Sequence, residues 1–425
     1  MMSNVTRRRF LQGTVAVGAI GAAGCLGDAE DDRSYEIWAL DQGTDLIYVY
    51  TPEETDDDSD EPAFELIEEI DVAGFEETAD DAVVPHMISF SSDYEYAAVA
   101  CTAGAQTLVF RTEDHELVAA IDTGAGSHFS GFTPDDEYIV VDVIGEEKIV
   151  RVDANLDDEE FEIADEILVR EDETIVGAGI ESGSPICHSY DQSGRSIHTM
   201  GPSYHDGALV IVDHDDFTVD AAFSGDELPT NCGTMPHPSE EKFYLTAGLP
   251  TPTDDDGEPI EGEEGVGDYY VLDTESDEII VDGASTGGTD AHGFWFTTDG
   301  EELWVLNRET NDGVVIDPDT DDVIEEIEAY GPAQSEDSAE RDSPDIMWAS
   351  PDGAYMFVTL RGSNPVSGDP HAATGVTPGF SVLDTDTKEI LDVVVPDGDN
   401  EDSDFHGIGV RPIGDYGDAI TSPPF

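Results

Sequence analysis

Four histidines and one aspartate occupy equivalent places in successive segments of this chain. The equivalent positions lie four residues before the end of one apolar strand in each segment: His86, His128, Ile186, Gly233, His292, Asp345 and His406. Imidazole and carboxylate groups that converge on one point are typical ligands of zinc, copper and iron. If the fold brings these positions together, the set predicts a site for one transition metal (copper, zinc or iron), or for a non-covalently bound haem, since no Cys-x-x-Cys-His motif occurs.

Two other roles fit the same histidines, and three neighbouring residues extend the set. The histidines could hydrogen-bond to backbone groups between neighbouring segments, or they could polarise an organic ligand. Cys187, His188 and Cys232 flank the two non-polar positions and are supplementary candidate ligands. Outside the cell, we expect a disulfide between Cys187 and Cys232 somewhat more than two thiolate ligands. Cys101 lies in an apolar strand, where we expect it to be buried and unpaired.

An internal repeat supplies the elements that must position these residues. Each unit has an apolar strand, a turn rich in Ser, Thr, Pro, Asp and Gly, a second strand, a third strand of the form Val-x-Asp, and a fourth strand. The turns lie at residues 91–93, 133–136, 191–194, 238–241, 297–300 and 350–353. Repeats of roughly 40 to 60 residues made of short alternating strands are typical of propeller blades.

A seventh blade is divided between the two ends of the chain. Residues 405–412 have the form of a first strand and turn, whereas residues 35–72 supply second, third and fourth strands. Such a shared blade closes the ring and leaves no free sheet edge. We therefore predict an all-β, seven-bladed β-propeller of four-stranded blades over residues 35–412, with a tail at 413–425. The five polar members of the equivalent set, the polar ring, then become neighbours at one mouth of the central channel.

The N-terminus predicts export. Three arginines at positions 7–9 precede Phe-Leu and an uncharged run rich in Gly and Ala, which is typical of a twin-arginine signal peptide at 1–24. Small residues lead into Cys25 as in a lipobox, so we expect Cys25 to carry a lipid. An acidic tether at 25–34 follows. The protein is therefore expected outside the cell, anchored to the outer face of the membrane.

The charge balance indicates the environment and excludes one class of partner. The chain has 100 acidic and 15 basic residues, a formal net charge of −85. Such a surface is typical of proteins of halophilic archaea, because molar salt shortens the Debye length to about 3 Å and screens the repulsion. Nucleic acid is excluded, since binding phosphates needs a basic patch. The expected partners are the membrane, through the lipid, and a protein or small molecule at the propeller mouth.

The repeat resembles the YVTN family of β-propellers. Residues 404–408, Asp-Phe-His-Gly-Ile, are similar to the family's strand that begins Pro-His-Gly-Ile, and residues 382–385, Val-Leu-Asp-Thr, are similar to its third strand. The resemblance covers residues 35–412 and implies the fold. Bearers of these blades include surface-layer proteins, lactonase-like enzymes, amine-dehydrogenase-like chains and the d1-haem domain of nitrite reductases, so the resemblance does not select a function.

One long insertion, residues 361–379, separates the second and third strands of a blade and is rich in Gly and Pro. Long loops on a rigid scaffold are often functional. We expect Arg361 and His371 either to reach toward a ligand or to cap the rim of the propeller.

Three functions fit these observations. The first is a binding or scaffold protein at the cell surface with an unknown ligand, because export, anchor and blades need no catalyst and the sequence shows no nucleophile–base set. The second is a metal- or haem-binding redox protein that uses the polar ring. The third is a lactonase-like hydrolase in which a histidine or aspartate at the mouth activates water. The sequence favours a role without catalysis but leaves enzymatic activity open.

Overall fold

Seven four-stranded antiparallel sheets make up the described part of the chain. The computed structural model describes residues 33–53, 62–78, 82–180, 183–201, 207–230, 232–254, 259–335, 337–368, 372–396, 401–417 and 419–421. Each sheet is one blade, and the blades surround a common axis. The predicted all-β, seven-bladed β-propeller is confirmed.

Each blade runs from an innermost strand at the axis to an outermost strand at the rim. The innermost strands are β4 (Pro85–Phe90), β8 (Ser127–Phe132), β12 (Ser184–Tyr190), β16 (Thr234–Pro236), β20 (Ala291–Phe296), β24 (Pro344–Ala349) and β28 (Phe405–Ile413). The second strands are β1 (Ser34–Asp41), β5 (Tyr96–Cys101), β9 (Tyr138–Val143), β13 (Ser196–Gly201), β17 (Lys242–Leu249), β21 (Leu303–Asn307) and β25 (Tyr355–Leu360). The third strands are β2 (Leu46–Pro52), β6 (Gln106–Arg111), β10 (Lys148–Asn155), β14 (Ala208–Asp213), β18 (Val266–Asp273), β22 (Asp312–Asp317) and β26 (Gly379–Asp384). The outermost strands are β3 (Phe64–Asp71), β7 (Glu116–Ile121), β11 (Glu160–Leu168), β15 (Thr218–Phe223), β19 (Glu278–Ser285), β23 (Asp322–Ile327) and β27 (Ile390–Val394).

Short helical segments join some of the blades. A single-turn helix, α1 (Glu173–Gly177), follows β11, and 3-10 turns occur at Val72–Gly74, Ile144–Glu146 and Ser338–Glu340. The side chain of Asp172 caps α1 by accepting hydrogen bonds from the backbone N–H groups of Thr174 and Ile175.

Burial decreases from the axis to the rim. Every residue of β5 and β20 is buried, whereas every residue of β23 except Ile327 is exposed. The two inner strands of each blade are therefore largely buried, and the outermost strands carry many of the acidic residues. Neighbouring blades pack face to face through large side chains, as where Trp38 of β1 meets Phe90 of β4 edge-on with ring centroids 6.2 Å apart. The hydrophobic core is thus a belt of contacts between blades.

The two ends of the chain share one blade, as predicted. Strand β28 pairs with β1 in antiparallel register, with Val410 opposite Ile37 and Ile408 opposite Ala39. Strands β2 and β3 complete the sheet. The pairing completes this blade and joins the last described strand to the first.

Six inner strands have a β-bulge near their start. In β4 the register shifts between Pro85 and Met87, and in β8 it shifts between Ser127 and Phe129. Strands β20, β24 and β28 also shift after their first residue, whereas β12 shifts after its second residue, Pro185. A bulge bends the strand and re-aims the side chain at the extra residue. The second residue of β4, β8, β20, β24 and β28 is therefore free of the ladder and available to the axis.

Candidate functional site

The structure places the five residues of the polar ring together at the axis. They lie at the second position of β4, β8, β20, β24 and β28, which belong to adjacent blades. All are buried except His128, which is partly exposed. The imidazole of His406 is central, with its centroid 3.7 Å from that of His86 and 6.2 Å from that of His292. At Gly233, a Cβ atom would lie 2.2 Å from the carbonyl oxygen of His292, so this position stays without a side chain.

His86 and His128 face each other through their Nε2 atoms, which are 2.8 Å apart. Nδ1 of His86 lies 2.7 Å from Oε1 of Gln42, and Nδ1 of His128 lies 2.8 Å from the carbonyl oxygen of Ile186. The Gln42 amide is oriented by its Nε2, which donates to Asp404 at 2.8 Å. Both partners of the Nδ1 atoms are acceptors, so both Nδ1 atoms carry the hydrogen. Two lone pairs therefore face each other across 2.8 Å.

Protonation does not relieve this contact readily. Burial, followed by the neighbouring His406 and His128, lowers the pKa of His86 well below its ordinary value. Burial also lowers the pKa of His128. Because a charged imidazole is disfavoured at both positions, the pair is suited to a cation other than the proton.

His292, Asp345 and His406 form the other part of the ring. Nε2 of His292 lies 3.0 Å from Oδ1 of Asp345, and Nε2 of His406 lies 3.7 Å from Oδ2. One potential ligand atom from each residue lies within 4.8 Å of the others. Burial alone would raise the pKa of Asp345, but His406, Arg361 and His292 hold it well below its ordinary value. The ring therefore contains one buried, ionised carboxylate.

Arg361 anchors that carboxylate instead of reaching toward a ligand. Its NH1 donates to Oδ2 of Asp345 at 2.5 Å, and its Nε and NH2 donate to the two oxygens of Asp404 at 2.7 and 2.8 Å. The side chain is completely buried. The guanidinium is thus committed to two carboxylates beside the ring, and the expectation that the loop serves a ligand or caps the rim stays a prediction. The insertion itself does separate β25 from β26, as expected.

Cys187 and Cys232 lie next to the ring as free thiols. Their Sγ atoms are 3.3 Å apart, which exceeds the roughly 2.05 Å of a disulfide bond. The expectation of a disulfide is therefore not met, and the two sulfurs interact as a hydrogen-bonded pair. Cys187 Sγ also lies 3.7 Å from Nδ1 of His128. Cys101 is buried and forms no disulfide, as predicted.

The thiol pair and the ring are electrostatically linked. The hydrogen bond to Cys232 and burial raise the pKa of Cys187. The hydrogen bond from Cys187 lowers the pKa of Cys232 against the effect of burial, and His292 lowers it further. Burial opposes a charged His292, but Cys232 and Asp345 outweigh it and raise the pKa of His292 to about 9. Among the ring histidines, His292 therefore holds a proton most strongly, and a metal ion bound to it has to displace that proton.

A second buried cluster, formed by Asp142, His188, His198 and Ser196, lies between two blades. Of its members, only His188 is a candidate predicted from the sequence. Both oxygens of Asp142 in β9 accept hydrogen bonds, one from Nδ1 of His188 and one from Nδ1 of His198, each at 2.6 Å. Nε2 of His198 lies 2.6 Å from Oγ of Ser196. Ser, His and Asp in this order resemble a nucleophile, a base and its orienting carboxylate. Ser196 is fully buried, so a substrate has no access to it.

A cavity of about 100 Å³ adjoins the ring. His188, Cys232 and His292 contribute its polar wall. The rest is mainly aromatic and aliphatic and includes Phe294 and Trp348. The site therefore combines a polar ring with a small, largely apolar space.

The fold and ring define the class: a seven-bladed β-propeller with a cluster of histidines on its axis. Among solved structures, the chain is similar to hydrazine synthase of Kuenenia stuttgartiensis, with 13% identity, a TM-score of 0.50, and coverage of 74% of this chain and 80% of that chain. It is also similar to the dihydro-heme d1 dehydrogenase NirN in complex with DHE, with 11% identity, a TM-score of 0.51, and coverage of 88% and 74%. At these identities the likeness shows the fold. No protein-family model and no curated protein matches the chain.

Some predicted features lie outside the described residues. These are the signal peptide at 1–24, the lipidation site Cys25 and the loop residue His371. Among the residues that are described, no helix is both long and apolar enough to cross a membrane.

Proposed function

We propose that the polar ring binds a transition metal ion on the propeller axis. The observation that carries the proposal is the pair of Nε2 lone pairs of His86 and His128, which face each other across 2.8 Å. Each Nδ1 hydrogen is committed to an oxygen, from Gln42 or Ile186. Histidines that bind metals typically donate their other ring hydrogen to such an acceptor, which fixes the tautomer and orients the ring. A cation next to both Nε2 atoms replaces a repulsive contact with two favourable ones.

The rest of the ring supplies further ligands and negative charge. His406 stacks on His86 and also belongs to the group formed with His292 and Asp345. Several imidazoles and one carboxylate suit zinc, copper or iron, whereas calcium and magnesium prefer oxygen ligands throughout. The proposed ligands are the Nε2 atoms of His86 and His128. His292, Asp345 and His406, whose ligand atoms lie within 4.8 Å of one another, form a second group beside that pair and supply the negative charge. Cys232 and Cys187 lie close enough to modulate the charge of the centre.

The cavity favours a metal ion over a haem. Its volume is about 100 Å³, whereas sites for organic cofactors and ligands typically occupy roughly 300–1,000 Å³. A macrocycle does not fit this space. The same limit disfavours the lactonase-like alternative, because a lactone and an attacking water need a larger space beside the ring.

Elemental analysis by plasma mass spectrometry tests the proposal. The full chain is purified from a halophilic host in molar salt, without chelator or His-tag. We expect about one equivalent of copper, zinc or iron per chain. The double variant His86→Ala/His128→Ala should lose the metal while its circular dichroism spectrum stays that of the wild type. His214→Ala is the matched control, because this partly exposed histidine lies outside the ring.

Two results contradict the proposal. One is retention of the metal by the double variant, and the other is absence of metal from the wild type even after incubation with Cu(II), Zn(II) and Fe(II). In either case the histidines act in hydrogen bonding between blades. The binding or scaffold role at the cell surface then becomes the better account of the chain.

We further propose that the propeller is a YVTN-type domain held outside the cell by a lipid on Cys25. Support comes from the sequence alone: the twin arginines, the apolar run, the small residues before Cys25 and the acidic surface. Mass spectrometry of the mature N-terminal peptide should show a lipid-modified cysteine as its first residue. Cys25→Ala should move the protein from the membrane fraction to the medium, and an unmodified Cys25 in membrane-bound protein contradicts this proposal.

A further inference from the structure

The carboxylate of Asp142 fixes one histidine in the wall of the central cavity. Asp142 lies on β9 and His188 on β12 of the next blade, and Nδ1 of His188 donates to Oδ2 of Asp142 at 2.6 Å. The other carboxylate oxygen is taken by His198 at the same distance. An ionised carboxylate only accepts hydrogen bonds, so the hydrogen of His188 resides on Nδ1. Nε2 of His188 is therefore a bare acceptor.

This acceptor has no partner among the described residues, although the His188 side chain is completely buried. It is not covered by a side chain, because its neighbour on β8 is Gly131. A Cβ atom at that position would lie 2.9 Å from Nε2 of His188. Both Gly131 and His188 line the cavity of about 100 Å³. Nε2 of His188 has almost no exposed surface of its own and lies in the cavity wall behind Gly131, where a donor that enters past Gly131 would satisfy it.

The remaining walls define what such a donor molecule must be. Most of the cavity surface is apolar, and aromatic side chains such as Phe129 and Phe294 contribute to it. The ring of Phe129 packs edge-on against His188 with centroids 4.9 Å apart. Apolar walls disfavour a charged ligand. The volume limits a ligand to a few heavy atoms.

We infer that the cavity binds a small, neutral molecule with one N–H or O–H group, and that Nε2 of His188 accepts its hydrogen bond. This names the ligand class of the metal site proposed above, and it rests on that site only for placing the ligand beside the ring, since His292 and Cys232 line the same cavity. Recognition by His188 itself does not need the metal. Asp142 is a positioning residue, because it acts through His188.

Pyrrole and furan provide the test, because the two rings have nearly the same shape and only pyrrole donates a hydrogen bond. Both are titrated into metal-free and metal-loaded full chain, with dissociation constants from isothermal titration calorimetry. We expect the wild type to bind pyrrole about fivefold more tightly than furan. The preference should vanish in His188→Phe, which keeps an aromatic ring and removes the acceptor. Ser196→Ala is the matched control, because it changes the partner of His198 and leaves the Asp142–His188 bond intact.

A second variant and a spectroscopic measurement test whether the loss of preference in His188→Phe comes from the lost acceptor or from a change in folding. Gly131→Ala should also reduce the preference, because the added methyl group covers Nε2. Long-range ¹H–¹⁵N spectra should show His188 with its hydrogen on Nδ1 and a shift of Nε2 on addition of pyrrole. Asp142→Asn should disturb this tautomer, because an amide can donate to a ring nitrogen.

The outcomes separate this inference from the metal proposal. Equal affinities for pyrrole and furan in the wild type, no binding of either, or a preference that survives in both His188→Phe and Gly131→Ala would each overturn it. A preference that depends on His188 in a protein that binds no metal supports the inference while the metal proposal fails. If the protein binds a metal but shows no preference for pyrrole over furan, the metal proposal is supported and this inference fails.

Discussion

The guanidinium of Arg361 holds both carboxylate oxygens of Asp404, with donor–acceptor distances of 2.7 and 2.8 Å. Both residues are completely buried. The third nitrogen of Arg361 donates to Asp345 of the ring. One side chain therefore connects the start of the insertion, the segment that leads into β28 and the candidate metal site. Only the planar fork of arginine can make these bonds together.

Removing this arginine should be costly. Arg361→Met leaves two buried carboxylates without their partner, so we expect the free energy of unfolding to fall by about 3–5 kcal/mol. Arg361→Lys should have a free energy of unfolding between those of the wild type and Arg361→Met, because a lysine keeps the charge but cannot form the same set of hydrogen bonds. Denaturant unfolding in molar salt measures both. Arg170→Met is the control, since Arg170 pairs with Glu147 at the exposed surface and the pair should contribute little to stability. If Arg361→Met lowers the free energy of unfolding by less than Arg170→Met does, Arg361 does not hold the two buried carboxylates as described.

The contribution of His292 to the stability of the metal-free protein should fall as the pH rises from about 6.5 to above 9. The ordinary pKa of histidine is about 6.5, and the pKa of His292 in the folded protein is about 9. Below 6.5 both the folded and the unfolded state carry the proton, so the stabilisation by Cys232 and Asp345 is fully present. Between the two values only the folded state binds the proton, and stability therefore declines with pH. Above 9 the contribution is lost.

Chemical denaturation of chelator-treated protein at pH 6.5 and pH 9.5 measures this change. His292→Gln is the matched variant, because it keeps a polar side chain that cannot be protonated. Its stability should depend much less on pH over this range. An equal pH dependence in wild type and variant would assign the effect to other groups and refute the assignment to His292.

The blade pattern could be predicted from the sequence because the turns are built locally. In the turn at Ser350, its Oγ donates to Asp352 at 2.6 Å, and Gly353 adopts a positive φ of 75°. Both features depend only on residues three positions apart at most, and they recur from blade to blade. The shared blade could be predicted for a related reason, since residues 405–412 match a first strand and turn and residues 35–72 match the three other strands of a blade.

The polar ring could be predicted because the same bulge occurs near the start of six inner strands. Positions counted from the turn therefore remain equivalent in space, as His86 and His406 show. The supporting contacts could not be predicted, since they depend on how neighbouring blades are twisted and spaced. Arg361 meets Asp404 over a separation of 43 residues, and His198 meets Asp142 over 56 residues. No local pattern marks such pairs, so the partners of Arg361 were not predicted and Asp142 was missed.

Salt should stabilise the fold strongly. With a net charge of −85, the folded chain repels itself, and the Debye length shortens from about 10 Å at 0.1 M to about 3 Å at 1 M salt. We expect the thermal midpoint to rise steeply between 0.1 and 1 M KCl and more slowly above. Differential scanning calorimetry measures the midpoint, and glycine betaine of equal osmolality is the control for solvent effects without screening. Equal stabilisation by betaine contradicts a screening mechanism.

The C-terminal segment should protect a pair of tryptophans that line the central cavity. Trp295 and Trp348 stack with ring centroids 4.0 Å apart, and Nε1 of Trp348 donates to the carbonyl oxygen of Thr421 at 2.8 Å. The backbone N–H of Ile420 also donates to the carbonyl oxygen of Thr298, at 2.8 Å. The main chain of the segment thus accepts a hydrogen bond from the Trp348 side chain of β24 and donates one to Thr298 in the turn after β20.

Deletion of residues 414–425 should uncover Trp348, which is only 5% exposed in the intact chain. Loss of a few hydrogen bonds should lower the free energy of unfolding by about 2–4 kcal/mol, and tryptophan emission should shift to longer wavelength. The two other tryptophans, Trp38 and Trp304, are fully buried and should not contribute to the shift. Trp348→Phe in the truncated chain should abolish it. Thr421→Val in the full chain keeps the carbonyl oxygen that Trp348 uses, so its emission should stay that of the wild type. An unshifted spectrum in the truncated chain would show that other residues shield Trp348 from solvent.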